Sequence, residues 1–261
     1  MKVVLFCGGQ GMRLREHSDK IPKPMVKIGY RPILWHIMKY YAHFGHTEFI
    51  LCLGYKADYI KEYFLNYNEA VSNDFIFSKS GKSVEMLSTD ISQWKISLVD
   101  TGYSSNIGER LVAIKDYLGN DDVFLANYSD NLTNFPLNKL ETKFYQNDNN
   151  IAGMLCVKPR SFYHFATIEG SRVNKIHDIE NSNLYVNGGY FIFKKEIFNY
   201  IEKGEELIHE PFNRLINEKK LLGYKYNGFW QSMDTFKDKQ LFDKLYEENN
   251  PPWIIKSINN D

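Results

Sequence analysis

Lys2-Val3-Val4-Leu5-Phe6-Cys7-Gly8-Gly9-Gln10-Gly11-Met12-Arg13-Leu14 decides the fold. Its first half, Lys2–Cys7, is an unbroken β-rich apolar run, the pattern of a parallel strand buried on both faces. Its second half sets Gly8, Gly9 and Gly11 within four residues. Such a loop can turn several backbone N–H groups toward phosphate oxygens. Arg13 adds a permanent charge and a fork of donors. A dinucleotide fingerprint is excluded: Leu14 stands where its last glycine belongs, and Leu53-Gly54 where an acidic residue would close the second strand. No Gly-Lys-Ser/Thr follows, so the loop is not of the Walker type. A tight strand-to-helix turn with a surface arginine is the plain alternative.

Downstream, helical and strand-like stretches alternate. Pro32–Phe44 reads as a helix, Glu48–Leu53 as a strand, Ala57–Asn66 as a helix and Lys95–Asp100 as a strand. Gly108–Leu118 follows as a helix, with Leu111, Ile114, Lys115 and Leu118 on one side, then the strand Val123–Asn127. This order predicts an α/β fold, a Rossmann-like, mostly parallel mixed sheet flanked by helices. Ser72–Ser78 and Ser83–Thr89, parted by Ser80-Gly81-Lys82, read as a hairpin. Strands are expected at Ile151–Val157, Phe165–Glu169, Val173–Ile176 and Gly189–Phe193, and helices at Glu196–Tyr200, Pro211–Lys219 and Phe236–Tyr246. With no repeat or linker, residues 1–261 read as one domain of two halves, at about 1–130 and about 131–261.

Bulk composition narrows the function. The 32 Lys and Arg balance the 32 Asp and Glu. A neutral chain has no electrostatic reason to coat nucleic acid or an anionic membrane. Any phosphate must be held by a local site. No apolar stretch reaches the roughly 18 residues of a membrane span. Met1–Phe6 lacks the charged head and apolar region of a signal peptide. Cys7, Cys52 and Cys156 lie in or beside apolar runs and read as buried free thiols of a reducing compartment, the cytoplasm.

Three charged residues stand out. Lys23, in Lys20-Ile21-Pro22-Lys23-Pro24-Met25, is stiffened by prolines on either side and could serve a departing pyrophosphate. Asp130 closes Asn127-Tyr128-Ser129-Asp130 at the end of a buried strand, where α/β proteins place ligand crevices. Asp234 lies in Trp230-Gln231-Ser232-Met233-Asp234-Thr235. Alternatively, Asp130 is a turn residue and Asp234 a helix N-cap. His36, His43 and His46 read as structural.

Together, Gly-Gly-x-Gly-x-Arg-Leu at 8–14, Pro22-Lys23-Pro24-Met25, Pro32-Ile33-Leu34-Trp35-His36-Ile37-Met38, Asp100-Thr101-Gly102, Asn187-Gly188-Gly189, Gly228-Phe229-Trp230 and Met233-Asp234-Thr235 resemble the sugar-phosphate nucleotidyltransferases. The resemblance is to their glucose-1-phosphate cytidylyltransferase branch. It implies transfer of a nucleotidyl group from an NTP, CTP in this branch, to a sugar 1-phosphate. It implies Mg2+ held by Asp130 and Asp234, with Arg13, Lys23 and Asp130 catalytic. Nucleotide binding falls to Gly8, Gly9, Gly11, Met12, Arg13, Lys23, Gly54 and Arg110, and sugar-phosphate binding to Tyr128, Asn187 and Gly188. A homo-oligomer is implied as well.

Four positions depart from that pattern. Met12 replaces threonine, and Glu109 and Asn131 replace glycines. Ile179 falls where the family carries its sugar-phosphate lysine. Lys158, Arg160 and Lys175 are the candidate substitutes. Other nucleotides, or a weakly catalytic nucleotide-sugar-binding relative, are the rival readings. Phe229 and Trp230 either face the active site or pack beneath it.

Overall fold

The computed structural model describes residues 1–9, 21–159, 164–178, 183–249 and 251–255. Val3–Phe6 forms an inner strand, β1, and all its side chains are buried. Val3 and Leu5 enter one apolar cluster, and Val4 and Phe6 another, because successive strand side chains point to opposite faces.

After β1 come the short pair β2 (Lys27–Ile28) and β3 (Arg31–Pro32), then α1 (Ile33–His43), β4 (Glu48–Leu53) and α2 (Ala57–Leu65). β5 (Phe75–Ser78) and β6 (Ser83–Met86) form the expected hairpin. Next are β7 (Lys95–Asp100), α3 (Ile107–Ala113), β8 (Val123–Asn127), β9 (Asn131–Thr133) and α4 (Leu137–Tyr145). β10 (Ala152–Val157) leads to a second hairpin, β11 (His164–Glu169) with β12 (Arg172–Asp178), and then to β13 (Val186–Lys194). α5 (Glu210–Asn217), β14 (Leu221–Tyr226), β15 (Trp230–Ser232) and α6 (Phe236–Glu247) follow.

The central sheet runs β14-β10-β13-β8-β1-β4-β7. Only β13 is antiparallel to its neighbours, so the sheet is mostly parallel and mixed, as expected. Ile33, Ile37, Ile60, Leu140 and Phe242 from four helices cover one face. Leu111, Phe212 and Leu215 cover the other. From β1 the chain moves outward to β4 and β7, then returns to β8 on the opposite side of β1. Strand order therefore reverses between β1 and β8, and the C-terminal ends of those strands open the crevice where such sheets bind ligands.

Some expectations need correction. The stretch Gly108–Leu118 is α-helical only to Ala113 and continues as a 3-10 turn, Lys115–Leu118. Leu111, Ile114 and Leu118 are buried there, but Lys115 is exposed. The helix expected at Glu196–Tyr200 is a 3-10 turn spanning Lys195–Tyr200. Cys7 and Cys52 are buried free thiols, whereas Cys156 is half-buried. No described helix is long and apolar enough to cross a membrane.

Candidate active site

Two short strands bring the distant aspartates together. β9 pairs antiparallel with β15, Asn131 opposite Ser232. The Met233 N–H donates to the Asp130 carbonyl at 2.8 Å. Asp130 and Asp234 thus meet across 104 positions of sequence. Lys23 Nζ donates to Asp130 Oδ2 and to Asp234 Oδ1, each at 2.7 Å. The two carboxylates therefore share one cation. Lys23 starts a 3-10 turn between Pro22 and the buried Pro24, which fixes where its side chain departs. Burial lowers the Lys23 pKa, but the Asp130 and Asp234 charges outweigh it and hold the ammonium above its ordinary value.

The remaining carboxylate oxygens are also engaged. Asn131 Nδ2 donates to Asp130 Oδ1 at 3.1 Å, and Ser232 Oγ donates to Asp234 Oδ2 at 2.8 Å. Asp234 is not the α6 cap. Thr235 takes that place in a reciprocal capping box with Asp238. The Asp234 side chain turns to Lys23 instead.

On the β1–β4–β7 side the floor is backbone. Arg110 is only 2% exposed. Its Nη1 donates to the Leu53 and Gly102 carbonyls, each at 3.0 Å, and to Thr101 Oγ1 at 2.8 Å. Its Nη2 donates to the Gly8 carbonyl at 3.0 Å. The guanidinium thus ties together the chain at the C-terminal ends of three strands and is no surface group. A Cβ on Gly8 would lie 2.2 Å from Nη1, and one on Gly54 2.7 Å from it, so only glycine admits this approach. Gly9 is exposed. Tyr55 and Tyr103 stand edge to face beyond the ends of β4 and β7, ring centres 5.6 Å apart. Glu109, at a position expected to be glycine, forms the α3 capping box with Asn106. Gly11, Met12 and Arg13 lie outside the described residues.

On the β8–β13 side, Asn187 Nδ2 donates to the Tyr128 hydroxyl at 3.1 Å, and Asn187 Oδ1 accepts the Gly189 N–H at 2.9 Å. The register of β13 against β10 shifts here, so this end of β13 bulges, a common device beside binding sites. Gly189 has φ +75°, and a Cβ on it would lie 2.6 Å from Asn131 Nδ2. Burial pushes the Tyr128 phenol pKa up. Trp230 Nε1 donates to the Gly188 carbonyl at 2.8 Å, and the Phe229 ring lies 6.0 Å from that of Trp253. Both aromatics are half-buried and pack against the larger apolar cluster.

Ile179 and Arg160 lie outside the described residues. Lys175 sits on the exposed strand β12. Lys158 Nζ lies 4.6 Å from the centre of the Tyr185 ring, and Lys225 Nζ 5.1 Å from the same ring. Lys225 carries no sequence signal; the strand register alone sets it opposite Cys156. Of the histidines, His36 bonds the Ile28 carbonyl, His46 pairs with Glu141 at 2.7 Å, and His43 packs edge-on against Phe44.

Known proteins are similar to this chain in sequence and in fold. The sequence profile described as nucleotidyl transferase matches residues 2–244. A probable glucose-1-phosphate cytidylyltransferase of Bacillus subtilis is 36% identical over 98% of this chain and 100% of its own length. A glucose-1-phosphate cytidylyltransferase of Salmonella typhimurium is 34% identical over 97% of this chain and 98% of its own. The structure of UTP-bound UGPase from Acinetobacter baumannii superposes with a TM-score of 0.69 at 16% identity, covering 97% of this chain and 95% of that one. That structure shares the fold. By sequence over nearly its whole length, the chain belongs to the nucleotidyl transferase family.

Proposed function

We propose that this protein transfers a nucleotidyl group from CTP to glucose 1-phosphate, releasing pyrophosphate. The observation that carries this reading is the Lys23–Asp130–Asp234 cluster at the strand-order reversal, where Cys7, just past β1, donates to Ser129 next to Asp130. CTP and glucose 1-phosphate are taken from the names of relatives that match almost end to end.

The reaction joins two anions, so positioning and charge neutralisation dominate it. Two carboxylates that converge on one cation form a hard-oxygen pair suited to Mg2+. Asp130 and Asp234 would hold that ion, which neutralises phosphate charge and polarises phosphoryl oxygens when bound. Amides of Gly8, Gly9, Gly11 and Met12 cradle the triphosphate, and Gly54 admits the base. Arg110 supports this floor from below. Tyr128, Asn187 and Gly188 hold the sugar, and Lys158 with Lys225 offset the acceptor phosphate in place of the family lysine. An acceptor oxygen attacks the α-phosphorus in line as the bond to the β-phosphate oxygen breaks. Lys23 and Arg13 stabilise the departing pyrophosphate. No protein nucleophile or base is required, because a phosphate monoester is largely dianionic at neutral pH.

On this reading the one domain divides at about residues 1–130 and about 131–261 into a nucleotide half and an acceptor half, with Tyr128 at the end of the first reaching across to the acceptor. We read the protein as a homo-oligomer. The β5–β6 hairpin supports this: Phe75, Ile76, Phe77 and Val84 are exposed, Phe77 by 65%. An isolated two-stranded hairpin is marginal in water, and buried Arg31 anchors the approach to this one through Ser72 and Asp90.

Pyrophosphate release with glucose 1-phosphate, Mg2+ and each of CTP, UTP, dTTP, GTP and ATP tests the reading. Turnover with CTP well above the rest is expected. Preference for another nucleotide would overturn the base assignment. Silence with all five would favour another acceptor or a weakly catalytic relative.

A further inference from the structure

Asn127 ends β8, between β1 and β13, and is 0% exposed. A buried amide costs stability unless its polar atoms are used. Its Oδ1 accepts the Ser129 N–H at 2.7 Å, an Asx turn. Ser129 is buried too, with φ 65°, a left-handed conformation that a residue with a Cβ disfavours. Strained backbone of this kind concentrates at functional sites.

The next residue is Asp130. Its carboxylate meets Lys23 and its carbonyl meets Met233. An extended Ser129 would continue β8 and carry Asp130 past the β9–β15 pair. The left-handed residue turns the chain so that Asp130 faces Asp234.

We infer that Asn127 is a positioning residue: by pinning the Ser129 N–H it holds Ser129 left-handed and aims the Asp130 carboxylate at the cation shared with Asp234. The inference rests on the reading of Asp130 given above. Asn127 reaches Ser129 through backbone alone, its Nδ2 end facing the Tyr41 and Tyr190 hydroxyls instead, so its action on Ser129 becomes dispensable when residue 129 adopts the left-handed conformation at little cost. Glycine does so.

The test measures kcat and both KM values for Asn127→Ala, made in the native chain and again with Ser129→Gly, with Asp130→Asn alongside. In the native chain Asn127→Ala should lower kcat by about tenfold or more, with each KM within about threefold. Made with Ser129→Gly, the same change should cost less than about threefold, a coupling that an independent packing role does not produce. Equal losses in the two backgrounds overturn the inference. Should Asn127→Ala not fold, Asn127→Ser keeps an acceptor for the turn and should hold kcat within about threefold of native. A larger loss that Ser129→Gly leaves unchanged also overturns it. If Asp130→Asn turns over normally, the reading of Asp130 fails and this inference with it. If Asp130→Asn is inactive but the Asn127 losses are equal, the inference alone falls.

Discussion

The two sides of the crevice are built by different means. On the β1–β4–β7 side one buried guanidinium, Arg110, fixes three backbone carbonyls and leaves glycine backbone, at Gly8 and Gly54, as the floor. On the β8–β13 side the groups are side chains, with Tyr128 and Asn187 beside a bulge and Lys158 and Lys225 against one tyrosine ring. A floor made of backbone survives changes of side chain, whereas a wall of side chains changes with each substitution. On the proposed assignment, a common nucleotide platform can therefore serve varied acceptors. Two departures from the family pattern, Asn131 and Ile179, fall in the half proposed for the acceptor.

The largest expected effect comes from breaking both sides at their meeting point. Asp130→Asn or Asp234→Asn should each lower kcat by about a thousandfold, because on the proposed reading the cation site serves both phosphates. Steady-state kinetics and a melting curve check it, and the fold should persist. A loss confined to one KM would assign that carboxylate to one substrate only.

Arg110→Lys tests the backbone side alone. Lysine keeps the charge but loses the fork that reaches several carbonyls. It should destabilise the protein by about 2–3 kcal/mol in denaturant melts, and raise the nucleotide KM about tenfold with the acceptor KM unchanged. Equal effects on both KM values would deny the division. Lys225→Ala sharpens the other side. The acceptor KM should rise about fivefold while the nucleotide KM stays put. An unchanged acceptor KM would move that phosphate elsewhere.

His36, on α1 and outside both walls, should leave turnover alone and act on stability. Burial pushes its pKa down to about 4, partly offset by its bond to the Ile28 carbonyl. An unfolded imidazole titrates near 6.5, so the unfolded chain takes up the proton first as the pH falls. The folded state therefore loses about 3 kcal/mol between pH 6.5 and 4. The same proton would oppose the donation from Trp253 Nε1 to His36 Nδ1. His36→Gln should flatten that slope in pH-dependent melts; an unchanged slope would assign it to other groups.

The buried strands were legible because continuous apolar runs such as Glu48–Leu53 and Val123–Asn127 admit few other readings. Their observed bounds match the expected ones. β9 and β15 were not legible: each has three residues and exists through a partner about 100 positions away. α4 went unassigned although Leu137, Leu140 and Phe144 have helical spacing and are buried. In the site, residue type and motif singled out Lys23, Asp130 and Asp234, which lie in one cluster. Burial is what sequence hides. Arg110 shows as a helix-start cation, but its carbonyl partners belong to other strands. Lys225 shows as an ordinary strand lysine until Tyr185 is set beside it.

Phosphorus NMR of one reaction, CTP with glucose 1-phosphate, Mg2+ and the enzyme, is the most direct measurement. The account predicts that the monoester signal disappears as a diphosphate diester pair and pyrophosphate appear in equal amounts. Formation of CMP and pyrophosphate with the monoester untouched, or no change at all, would contradict it.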